Sequence, residues 1–141
     1  MWRVYYRDNL NVTKLDLFYK APDSLAVNVV LRDSNLYVAC IYRSQSLNLS
    51  QNNVILSCIG SICDINNENS ETLIVGDLNL PDVSWVTGSI NGCNLLSINQ
   101  KIVNQVNFMN MFNDKGLSWY FTTETKACEW YSPRESHGSS P

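Results

Sequence analysis

Leu73-Ile74-Val75-Gly76-Asp77-Leu78-Asn79-Leu80-Pro81-Asp82-Val83-Ser84-Trp85 is the stretch on which the reading of this chain turns. An apolar run of β-formers ends at Gly76, and Asp77 and Asn79 follow, two residues apart. In an extended segment such a pair projects from one face. A carboxylate beside a carboxamide at a strand end can activate water and hold a phosphate oxygen. Upstream, Leu36 to Arg43 is a second β-rich run, and it ends in the site-capable pair Tyr42-Arg43.

Working outward, Leu25 to Arg32 and Leu36 to Arg43 flank Asp33-Ser34-Asn35, which reads as a hairpin turn. Apolar side chains fall on both faces of the second run, so that strand is expected in the middle of a packed sheet. Ser50 to Asn66 reads as a helix: Val54, Ile55, Cys58, Ile59, Ile62 and Cys63 form its buried stripe, and Ser50 is the expected N-cap. A second helix is expected over Asn99 to Phe112, with Ile102, Val103, Val106 and Met109 inward, and a short strand over Leu117 to Thr123. Trp2 to Arg7 reads as a further short β-rich run. Strands and helices thus alternate, as in a layered α/β domain. The domain is expected over residues 1–126, and 127–141 as a polar, disordered tail containing the lone His137.

A chain of 141 residues, 45% of them hydrophobic, can bury one core. Its formal net charge of −3 argues against nucleic-acid binding through bulk charge alone. A metal ion in a site would change that local balance. No apolar run approaches the ~20 residues a membrane span needs. The N-terminal residues lack the apolar core of a signal peptide, so an intracellular location, nucleus or cytoplasm, is expected. The five cysteines, Cys40, Cys58, Cys63, Cys93 and Cys128, show no C-x-x-C spacing and read as free thiols. Asn-x-Ser/Thr triplets at Asn11 and Asn48 read as accidental without a secretory signal.

A Gly-Asp-x-Asn turn also ends many ordinary buried strands, because Gly admits positive φ and Asp and Asn build local turns. The conjunction is more specific. Tyr42-Arg43 after one strand, Gly76-Asp77-Leu78-Asn79 after the next, and Leu80-Pro81-Asp82-Val83-Ser84-Trp85 beyond it resemble the endonuclease/exonuclease/phosphatase family. Within that family they resemble the endonuclease domain of non-LTR (LINE-type) retrotransposons, over Val4 to Thr125. The resemblance implies two β-sheets packed face to face with helices outside, and catalytic groups on loops at the sheet ends. It implies that Asp77 orients and deprotonates the attacking water and that Asn79 holds the phosphate. Tyr42 would donate to a phosphate oxygen or support the site, and Arg43 would contact the DNA backbone or cap the strand with charge. Trp85 reads as core packing and Asp82 as loop structure. The implied cofactor is Mg²⁺ or Mn²⁺, and the implied partners are DNA and a reverse transcriptase domain of the parent element.

The family also carries a metal-binding Glu at an early strand end, but no Glu precedes Tyr42 here. Downstream it carries a Thr-Arg element, which Thr125-Lys126 echoes, and a Ser-Asp-His strand, whose Asp is absent beside His137. The expectation is therefore an internal fragment of a metal-dependent DNA-nicking domain, weak or inactive alone. Incomplete sheet edges should lower its stability. The alternatives are a non-catalytic relic or interaction module, and a phosphatase of the same fold acting on small phosphoesters.

Overall fold

The computed structural model describes residues 3–17, 21–84, 89–90, 100–121 and 128–131. The first strand is Asn11–Lys14 (β1), not the Trp2 to Arg7 run: described residues 3–7 carry no strand, and the Leu10 N–H closes a turn on the Arg7 carbonyl at 3.0 Å. Pairing decides this, since β1 finds an antiparallel partner in Ser24–Val30 (β2). β2 and Asn35–Tyr42 (β3) then form the expected hairpin, closed by the Leu31 N–H on the Ser34 carbonyl at 2.8 Å.

Helix Leu49–Asp64 (α1) carries the chain back to start Ser70–Asp77 (β4), which lies parallel to β3. Lengths match: a helix of 16 residues runs ~24 Å and a strand of eight ~26 Å, so α1 returns the chain to where β3 began. The helix starts one residue before the expected cap. Asn48 is its N-cap, because its side chain accepts the Gln51 N–H at 2.9 Å while Gln51 Oε1 accepts the Asn48 N–H at 3.0 Å. A two-residue ribbon, Val83–Ser84 (β5) with Ser89–Ile90 (β6), precedes helix Gln100–Asp114 (α2). Ser118–Phe121 (β7) and Cys128–Tyr131 (β8) complete the sheet, in the order β1-β2-β3-β4-β8-β7. The sheet therefore reaches past residue 126, where the sequence suggests a polar tail, and β8 pairs with both β4 and β7.

Alternation explains the layering. Ala26, Ala39 and Ile74 are register partners across three strands, and with Tyr37 and Ile41 they share one buried face. Ile55, Cys58, Ile59 and Ile62 of α1 and Phe108, Met109 and Phe112 of α2 pack on that face as one core. On α2 Ile102 and Met109 are buried as expected, but Asn104 and Gln105 are buried too, while Val103 and Val106 are half-buried. Leu36, Val38 and Cys40 point the other way and are half-buried, so β3 is apolar on both sides but fully covered on one. The result is the expected mixed α/β class, but among the described residues it is one six-stranded sheet with both helices on one face and a two-stranded ribbon, and the second face-to-face sheet that the resemblance implies is not among them. Cys40, Cys58 and Cys63 are free thiols, and burial pushes the Cys63 thiol up to about 11.

Gly76 is the register partner of Ile41 near the end of the β3–β4 pair. Its φ is +148°, and a Cβ there would lie 1.8 Å from the Ile41 carbonyl oxygen. Gly76→Ala is expected to cost more than about 3 kcal/mol in urea unfolding. A loss under about 1 kcal/mol would contradict this close approach.

Candidate functional site

The parallel register pairs Tyr42 with Asp77 at the C-terminal ends of β3 and β4. Their side chains leave the sheet on the same side, from strands ~4.8 Å apart. Tyr42 is 39% exposed, and Asp77 is half-buried. The strands part just beyond them, where the Arg43 N–H donates to the Asp77 carbonyl at 2.9 Å.

Asn79 does not continue an extended strand. Its φ is +46°, a left-handed conformation that Asn tolerates better than most residues. The chain therefore turns back at once, and the Asn79 N–H donates to Asp77 Oδ1 at 3.0 Å. One side-chain N–H of Asn79 donates to the Arg43 carbonyl at 2.8 Å, which leaves the second N–H for a ligand. Asp77 Oδ2 takes no hydrogen bond from the described residues. The structure thus brings Tyr42, Asp77 and Asn79 to one sheet end.

Arg43 departs from its expected place. It is 2% exposed, so its guanidinium neither meets solvent-borne DNA nor caps the strand from outside. Nε donates to Asn52 Oδ1 at 2.6 Å, and Nη1 donates to the carbonyls of Leu78 at 3.0 Å and Asn79 at 2.9 Å. The guanidinium carbon lies 5.3 Å from the centre of the Phe108 ring. Burial pulls the Arg43 pKa below its ordinary value, as desolvation disfavours a cation. Neutral acceptors and an aromatic face offset that penalty.

Asn52 and Gln105 carry structural roles that the motif gives no hint of. Asn52 Nδ2 donates to the carbonyls of Leu47 at 3.0 Å and Asn48 at 2.8 Å, so one amide joins the first turn of α1 to Arg43. Gln105 Nε2 donates to Asp82 Oδ2 at 2.6 Å, and Gln105 Oε1 accepts the Asp82 N–H at 2.9 Å. Asp82 is thereby held as loop structure. The available signal was position: Asn52 falls three residues before Ile55, and Gln105 three before Phe108, each in line with a buried apolar residue. Trp85 and His137 lie outside the described residues.

Among the described residues no three His, Cys, Asp or Glu side chains converge as metal ligands. No described helix is long and apolar enough to cross a membrane.

No family model matches the sequence, and no curated protein does. Among solved structures the chain is similar to the endonuclease domain of TRAS1, a telomere-specific non-LTR retrotransposon, with a TM-score of 0.61 at 10% identity. The likeness covers 88% of this chain. The chain spans 54% of the length of that domain. The fold is thus shared with a retrotransposon endonuclease domain.

Asn79 provides a local check on the turn. Asn79→Ala, which keeps the strained φ and loses the bond to Arg43, is expected to cost about 1–3 kcal/mol in urea unfolding. Asn79→Gly relieves the strain and should cost less than half as much. Equal losses would contradict the left-handed turn.

Proposed function

We propose that this chain carries the phosphate-handling end of a DNA endonuclease of the retrotransposon type, with Asp77 as proton acceptor. The observation that carries this reading is the meeting of Tyr42, Asp77 and Asn79 at one sheet end, in a fold similar to an endonuclease domain. The water oxygen forms the new bond to phosphorus and its proton passes to Asp77 Oδ2. The bond from phosphorus to the sugar oxygen breaks, and the leaving oxygen is protonated by solvent. The remaining Asn79 N–H and the Tyr42 hydroxyl donate to phosphoryl oxygens as charge builds there.

Activity is expected to be low. Solvent is a poor general acid for an alkoxide leaving group, and the residues of such sites act as a unit. Bulk charge adds little attraction for DNA, as the net charge is −3. A second reading, a catalytically silent relic that keeps the fold, is supported by the sequence, in which no Glu precedes Tyr42 and no Asp stands beside His137.

A supercoiled-plasmid nicking assay, with Mg²⁺ and with Mn²⁺, separates the two. Slow nicking is expected, falling by about 10²-fold or more in Asp77→Ala. No nicking by folded protein overturns the enzymatic reading in favour of the relic.

A further inference from the structure

Arg43 belongs to no substrate contact, yet one continuous chain of bonds links it to Asp77. Its Nη1 donates to the Leu78 carbonyl at 3.0 Å, and the same peptide unit donates its N–H, that of Asn79, to Asp77 Oδ1 at 3.0 Å. A second path runs through the Asn79 carbonyl, 2.9 Å from Nη1, and back from the Asn79 side chain to the Arg43 carbonyl at 2.8 Å. We propose that Arg43 is a positioning residue for Asp77, acting through the Leu78–Asn79 peptide unit to fix which carboxylate oxygen faces the ligand. This role rests on reading Asp77 as the proton acceptor.

Two physical effects combine. A cation on a carbonyl oxygen polarises the peptide, making its N–H a stronger donor to the carboxylate at the far side. Bonds to two successive carbonyls also hold the left-handed turn at Asn79, which the backbone alone disfavours. Oδ1 is then occupied from within, and Oδ2 is left for the ligand. Burial strengthens both effects, since little water competes at a side chain that is 2% exposed. The guanidinium itself is held from behind by Asn52 at 2.6 Å and lies against Phe108. Its fork is thus aimed by α1 and α2, elements that contribute no group to the turn.

The test reads the turn directly, without DNA or metal. Amide NMR spectra and hydrogen exchange of the Asn79 N–H are compared in the full chain, Arg43→Met, Arg43→Lys and Ile62→Val. Ile62 is fully buried in the core, and its variant controls for general loosening. In Arg43→Met the Asn79 amide resonance is expected to move upfield and its exchange to quicken by about tenfold or more. Arg43→Lys, which keeps the charge but loses the fork, should fall between that variant and the parent. Ile62→Val should leave the Asn79 resonance in place. An unchanged Asn79 amide in folded Arg43→Met overturns the proposal, and so does an equal change in Ile62→Val. Should Arg43→Met fail to fold, an Asn79 amide in Arg43→Lys identical to the parent overturns it. A chain that nicks no DNA still gives this readout, so failure of the proposed activity and failure of the positioning role are separate results.

Discussion

A buried guanidinium is the constraint around which this end of the molecule is organised. Arg43 follows directly on β3, and its side chain runs inward where the apolar alternation of that strand would place a further Ile or Ala. A cation there is tolerable only if it is solvated by the protein. Three acceptors supply this: Asn52 from α1 and the carbonyls of Leu78 and Asn79 from the turn after β4. Removing any acceptor leaves a donor of a buried charge unmet, which costs more than an ordinary lost hydrogen bond. The same contacts that solvate the charge therefore bind helix, strand and turn into one unit.

That unit explains how two short motifs far apart in sequence become a site. Tyr42 and Asp77 are adjacent because β3 and β4 run parallel, and they run parallel because α1 has the length to return the chain. Gly76 lets the two backbones close up immediately before the site. Asn79 then reverses the chain so that its N–H turns back on Asp77. Stability and candidate chemistry draw on the same few atoms, so the turn cannot loosen without moving the carboxylate. Gln105 fixes the next stretch of loop through Asp82 in the same manner, an inward polar side chain meeting a loop's polar groups.

Much of this was legible in the sequence, for physical reasons. The hairpin at Asp33-Ser34-Asn35, the two helices and the strand before Gly76 follow from periodicity and turn chemistry, which act locally. A charged residue at a strand end ordinarily faces water, which is where the sequence places Arg43. Its phase with Ala39 and Ile41 was the signal for burial, and alternation outranked charge here because Asn52 was available to meet it. The strand pattern extends Asn79, whereas its left-handed turn depends on bonds to a residue 36 positions away. β8 was beyond reach as well. Four residues give little alternation to read, and their place is set by pairing with β4 and β7, which is non-local.

The joining of α1 to the turn through Arg43 is tested most directly by a double-mutant cycle between Arg43→Met and Asn52→Leu, read by urea unfolding. If the guanidinium and the carboxamide solvate each other, the coupling is about 1–3 kcal/mol, since each single variant strands the partner left behind. Losses that add to within about 0.5 kcal/mol would mean that Arg43 and Asn52 act independently, and would contradict the buried clamp.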